Sequence, residues 1–336
     1  MRPFLKLSLL SLMVAFAAPG GYHVVKEIKI GGEGGWDYLT MDPAARRLYV
    51  SHATKVVVID VDSGKIVGEI PDTPGVHGIA IADTLNRGFV SNGRGNSVTI
   101  FDLKTLKLIS QVKTGQNPDA IQYEAGSGKV FTFNGRSKDS TVIDAKTGNV
   151  ESTIPLGGKP EFSAADGKGK IYVNIENTHE VVEIDAKKMS VSKRYTLTGC
   201  EEPSGLAMDV KKRLIFSVCG NQVMAISNPN TGKVIASPAI GDGADGAVYD
   251  PGRGLAFSSN GQDGNMTVVG EVSGKWQVVE TVQTKKSART ITIDPKTHLL
   301  YLPAATYGPA PEAAAGQKKG RPPMVPDSFE LLVIGN

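Results

Sequence analysis

Aromatic residues make up only 6% of this 336-residue chain, and it has two cysteines. So few aromatics leave little material for the stacking platforms of single-stranded nucleic-acid binders. The formal net charge of +3 is small for this length and marks no nucleic-acid footprint. No protease-like motif surrounds either cysteine, which speaks against a cysteine nucleophile. The sequence has no P-loop, no dinucleotide-binding glycine fingerprint, no haem-attachment pair and no serine-hydrolase elbow. Beyond the first residues, no run is apolar enough to span a bilayer.

What is present is Gly, Val, Ile, Thr and Asp, a composition that favours many short strands joined by turns. The opening "MRPFLKLSLLSLMVAFAAPGG" has the order of a secretory signal. Arg2 and Lys6 form a basic start, Leu7 to Phe16 an apolar core, and Ala15-Phe16-Ala17 a small-x-small cleavage pattern. The expectation is a signal peptide over residues 1–17, a mature domain over 18–336 with no membrane span, and a periplasmic or secreted location. Export in turn permits a disulfide.

The stretch "GGWDYLTMDPAARRLYVSH" reads as strand, turn, strand, and the chain repeats it. Openings recur as "DYLTMD", "HGIAIA", "DAIQYE", "EFSAAD", "SGLAMD", "DGAVYD" and "RTITID". Second strands recur as "RLYVSH", "RGFVSN", "KVFTFN", "KIYVNI", "RLIFSV", "GLAFSS" and "LLYLPA". Third strands end at Asp60, Asp102, Asp144 and Asp185, about 42 residues apart, which is propeller-blade spacing. Each unit is a four-stranded antiparallel blade that buries its faces only against neighbours, so the ring has to close. The seventh unit lacks a fourth strand after Gly335, and "YHVVKEIKI" at residues 22–30 is expected to supply it. The predicted fold is all-β, a seven-bladed β-propeller closed by pairing of its N-terminal and C-terminal strands.

The units "LYVSHATKVVVIDVDSGKIVGEI" and "FVSNGRGNSVTIFDLKTLKLISQV" resemble the YVTN family of β-propeller repeats, and in particular the YncE-type exported proteins. That resemblance implies binding or surface roles, with the seven-bladed lactonases as more distant relatives. It also raises single-stranded nucleic acid as a ligand, which the near-neutral charge and scarce aromatics argue against. A propeller hosts many chemistries, so the site has to decide.

Seven copies act as an internal alignment. Asp60, Asp102, Asp144 and Asp185 recur before a turn, where a carboxylate accepts bonds from turn amides, so a structural task is expected. Two positions vary instead, and both fall on the face where chains enter the inner strands. One set is Asp37, His77, Asp119, Glu161, Ser204, Asp245 and Arg289; the other is His52, Asn92, Asn134, Asn174, Cys219, Asn260 and Pro303. Three readings stay open. Asp37, His52, His77, Asp119 and Glu161 can hold a divalent metal such as Ca²⁺ or Mn²⁺. Arg289, Arg94 and Arg136 can grip an anionic group in a polar pocket that includes Asn134 and Asp245. Or the face is a hydrated channel mouth whose polar groups hold loops. His23, His179 and His298 read as surface residues.

Cys200 and Cys219 flank this face in blade five, and a disulfide there would contribute ~3 kcal/mol at best. Blade seven carries an insertion at about residues 304–327, rich in Pro, Ala and Gly, with Lys318, Lys319 and Arg321. It is expected either to fold over the channel as a lid, with Tyr307 reaching inward, or to be a surface excursion. The leading expectation is an exported propeller that binds a small molecule or a protein partner at this top face. The alternative is a metal-assisted hydrolase or lyase such as a lactonase.

Overall fold

The computed structural model describes residues 20–310 and 322–336, so the expected signal segment and Lys318, Lys319 and Arg321 lie outside the described residues. It holds seven four-stranded antiparallel sheets. Inner strands pack side by side around an axis, and the last, Thr292–Ile293, meets the first, Leu39–Asp42. This is a seven-bladed β-propeller. Among the described residues no helix is long and apolar enough to cross a membrane.

The ring closes as the sequence requires. His23–Lys29 forms the outer strand of blade seven, antiparallel to Glu330–Gly335, with Lys29 opposite Glu330 and His23 opposite Gly335. Pairing the chain's two ends removes the open edge that blade seven would otherwise present.

Second and third strands are buried on both faces, which is why they read as apolar runs such as "KVVVID" rather than as alternations. Tyr49, Val58, Val90 and Phe101 seal blades one and two, and Ile28, Leu48, Val57 and Leu331 seal blades seven and one. Outer strands such as Lys65–Ile70 face solvent.

The turn carboxylates act as expected. Asp60, Asp102, Asp144 and Asp185 accept backbone N–H bonds from Ser63, Thr105, Thr147 and Lys188 at 2.6–3.0 Å. A second, buried carboxylate set on the face opposite the channel mouth ties blade to blade. Asp209 takes amides of its own turn on Oδ1 and the Tyr249 hydroxyl of the next blade on Oδ2 at 2.7 Å. Asp250 takes the Gly252 amide and His298 at 2.8 Å, which gives His298 a structural task. Asp294 takes the Lys296 amide and, across the closing seam, Arg46 at 2.6 Å.

Burial pushes the Asp294 carboxyl up, but Arg46 and its turn donors outweigh this and hold it below its usual range. A depressed carboxylate adds stability above its unfolded pKa, and that stability is lost as pH falls through the folded value. Arg46→Leu should therefore cost about 2–3 kcal/mol at pH 7 in urea unfolding, because it strands a buried charge. The deficit should shrink as pH drops below ~4. A cost under ~0.5 kcal/mol would show that the seam does not rely on this pair.

Candidate functional site at the channel mouth

His77, Asp119, Glu161, Ser204 and Asp245 are each the second residue of an inner strand, not loop residues. In all five blades the pairing register shifts at that point, between Val76 and Ile79, Pro118 and Ile121, Pro160 and Ser163, Pro203 and Leu206, and Ala244 and Gly246. Such a β-bulge re-aims a side chain, here at the mouth. Asp37 and Arg289 stand just before the inner strands of blades one and seven.

The backbone there is fixed by hydroxyls from neighbouring strands. Ser91 donates to the Asp119 carbonyl at 2.5 Å, Ser259 to the Arg289 carbonyl at 2.6 Å, and Thr290 to the Asp37 carbonyl at 2.6 Å. Asn174 donates to the Ser204 carbonyl at 2.9 Å. The bulges also need room: a Cβ on Gly205 would lie 2.8 Å from the Ala247 nitrogen and the Asp245 carbonyl oxygen.

The side chains form one charged network. His77 Nδ1 lies 2.5 Å from Asp37 Oδ2 and 3.6 Å from Asp119 Oδ1. Arg289 contacts Asp37 at 3.1 Å, also pairs with Asp245, and donates to the Trp36 carbonyl at 2.7 Å. Ser204 donates to Asp245 at 2.6 Å. Lys159 holds Glu161 at 2.7 Å and also pairs with Glu176. Five carboxyl groups thus meet three basic side chains; Glu161 is buried and the other seven keep some exposure.

Burial lowers the affinity of His77 for its proton, but the Asp37 bond and the Asp119 and Asp37 charges outweigh it and carry His77 up to about 8. Burial pushes Asp37 up, while His77 and Arg289 bring it below its usual range. Asp119 has no such cover: burial and the Asp37 charge push it up to about 6, against His77 and the Tyr38 hydroxyl. Burial and the Asp119 charge push Glu161 up to about 8 despite Lys159. Just below, the Tyr38 and Phe162 rings meet edge-on across the axis, centroids 4.3 Å apart. A cavity of about 300 Å³ lies beneath, lined by Thr40, Ile79, Ile121, Gln122 and Phe162 among others.

The inner set is therefore brought together as expected, and the second set is not. Asn92, Asn134 and Asn260 are fully buried inside their blades and bond Thr99, Thr141 and Thr267 at 2.9–3.0 Å. Asn134 is thus blade architecture, not a ligand contact. Ile175 and Ala304, not Asn174 and Pro303, occupy the position equivalent to His52, and a one-residue slip in a strand reverses the side chain. His52 stacks on Phe329 at 4.4 Å in a separate corner, and burial, with Lys55, lowers its pKa. The group able to share an ion narrows to Asp37, His77 and Asp119, whose ligand atoms lie within 4.8 Å of one another. Arg94 and Arg136 are exposed, and Arg289 is committed to two carboxylates, so the anion grip loses its centre.

Tyr307 does sit at this face, half-exposed, 6.3 Å from the Trp36 ring, and pairs in an isolated bridge with Met324 at the insertion's stem. Cys200 and Cys219 form a disulfide with Cα atoms 5.5 Å apart. Sequence reasoning missed Tyr38, Lys159 and Glu176. It also missed the serines of "VSH", "VSN" and "SSN", whose recurrence one place before the second-strand end was a visible signal.

No family model and no curated protein matches this chain. Among solved structures it is similar to hydrazine synthase of Kuenenia stuttgartiensis, at 16% identity over 81% of this chain and 94% of that chain, with a TM-score of 0.69. The likeness is one of fold. At that identity a propeller is shared, and nothing follows about chemistry.

His77, Asp119 and Glu161 all have folded pKa values above their unfolded ones, so each adds stability at low pH that is lost as pH rises through about 6 to 8. Melting temperature should fall across pH 5.5–8.5, and Glu161→Gln should flatten the upper half of that slope. NMR titration should place His77 near 8 and bring it below its usual value in Asp37→Asn; an unshifted His77 would contradict the network.

Proposed function

We propose that this chain is an exported binding propeller whose channel mouth takes a small positively charged ligand. The observation that carries the reading is the excess of carboxyl groups over basic ones, with burial and neighbouring like charge pushing both Asp119 and Glu161 above their usual range. A cation placed there relieves the crowding that raises both groups and is drawn in by the field of a partly dry mouth. The YVTN-type repeats support a binding role. The Cys200–Cys219 bond suits an oxidising compartment, in keeping with the signal-like order of residues 1–17.

The metal-assisted hydrolase or lyase is kept as a second reading because Asp37, His77 and Asp119 converge. One imidazole with two carboxylates fits Mn²⁺ or a similar ion, which would polarise a carbonyl. Asp37 and Asp119 would supply oxygens and His77 a nitrogen, while Glu161, with its raised pKa, would be placed to move a proton.

Calorimetry with small alkylammonium compounds, sugar acids, lactones and Mn²⁺ separates the two. Ammonium compounds should bind saturably, release protons near pH 7 as seen from buffer-dependent heats, and lose about tenfold in affinity in Asp119→Asn. Preferential binding of sugar acids would overturn the cationic reading. A stoichiometric metal by elemental analysis, with lactone turnover lost on chelation, would favour the enzyme.

A further inference from the structure

We infer that the rim groove between blades one and two is a self-association surface, on which a second copy of this chain docks about a two-fold axis. The surface is separate from the channel mouth and does not depend on what binds there.

The sequence gathers apolar surface at this place. The outer strand of blade one is "KIVGEI", Lys65–Ile70, and that of blade two is "LISQVK", Leu108–Lys113. Ile66, Val67 and Ile109 are 45%, 48% and 44% exposed, and Leu108 is 64% exposed. Among the described residues, no other neighbouring pair of outer strands exposes more than three large apolar side chains. Single exposed aliphatics need no explanation, but a cluster beside a concavity does. The concavity is a groove of about 590 Å³, lined by Val67, Gly68, Ile70, Pro71, Leu106 and Leu108 among others. Bare backbone at Gly68 leaves room for the floor of the groove: a Cβ there would lie 2.4 Å from Leu106 Cδ1.

The groove does not invite an added strand. Val67 is an extra residue between the pairs Val58–Gly68 and Ile59–Ile66, and Ile109 is one between Ile100–Ser110 and Phe101–Leu108. Such bulges bend an edge and interrupt the row of backbone groups that a partner strand would need. The contact is therefore one of side chains.

Charge selects the occupant. Three charged residues line the groove, Glu69, Asp72 and Lys107. Lys55 holds Glu69 at 2.6 Å, whereas Asp72 and Lys107 are exposed and in no ion pair among the described residues. Both outer strands run from the turn after the third strand towards the mouth side. Lys107 stands at the turn end, where its carbonyl accepts the Asp102 amide. Asp72 stands past the mouth-side end, where the next residue, Thr73, donates to the Thr54 carbonyl. A strand of six residues at about 3.3 Å each puts them roughly 20 Å apart. A two-fold axis through the middle of the groove, perpendicular to the strands, reverses it end for end. Asp72 of each copy then meets Lys107 of the other, and each Leu108 comes over the Pro71 end of the opposite groove. One surface used twice in this way pairs all four charges.

Sedimentation velocity of the full chain over a concentration series tests the inference. Wild type should dimerise, and more weakly as salt rises. Asp72→Lys and Lys107→Glu should each lose about tenfold or more in dimer affinity, because each turns both contacts repulsive. Mixed one to one, the same two variants should recover the wild-type affinity, because the mixed pair carries opposite charges at both contacts. Leu108→Asp, a surface change that spares the core, should lose about 30-fold or more. A chain still monomeric at ~1 mM, a dimer indifferent to Leu108→Asp, or charge variants that fail to recover on mixing would each overturn the proposal.

Discussion

The pairing of His23–Lys29 with Glu330–Gly335 is the constraint on which the rest depends. It holds blade seven against blade one, and both faces of the molecule exploit that seam. On one face Arg46 reaches Asp294; on the other Arg289 reaches Asp37 and the Trp36 carbonyl, across 252 residues of sequence. Without closure the mouth would lose its one arginine, and Asp37 and Asp245 would be left to repel each other. Loop-closure entropy grows slowly with length, so a junction between chain ends is affordable where it also buries apolar strands.

Repetition separates structural work from variable chemistry. Backbone ties at the mouth come from Ser91, Ser259 and Thr290, which bond carbonyls and do not depend on the side chain that follows. The ring positions are therefore free to carry acid, base or hydroxyl from blade to blade. Crowding then sets their protonation: Asp37, bonded by His77 and Arg289, keeps its charge, whereas Asp119 and Glu161 are pushed the other way.

The fold was legible because each blade carries its own period, turn and strand pattern, and the unpaired seventh unit pointed to the N-terminal strand. The inner ring was legible for the same reason, since one landmark, the opening of each unit, located Asp37, His77, Asp119, Glu161, Asp245 and Arg289. The second ring was misread where a strand's period of two matters most. Asn174 and Pro303 lie one residue from the equivalent position and face the other way. The role of Asn134 was encoded in its seven-residue spacing to Thr141, a pattern that Asn92 and Asn260 share. The commitment of Arg289 to two carboxylates was not legible, because it depends on which blades meet and how far a guanidinium reaches.

A double-mutant cycle on Asp37 and Arg289, read as unfolding free energy at neutral pH, tests the closed and charge-coupled mouth most directly. With Asp37→Asn and Arg289→Gln, the account expects a coupling of about 1–3 kcal/mol between residues 252 apart in sequence. Additivity within ~0.5 kcal/mol would mean that the two side chains do not share a site, and the mouth described above would not exist.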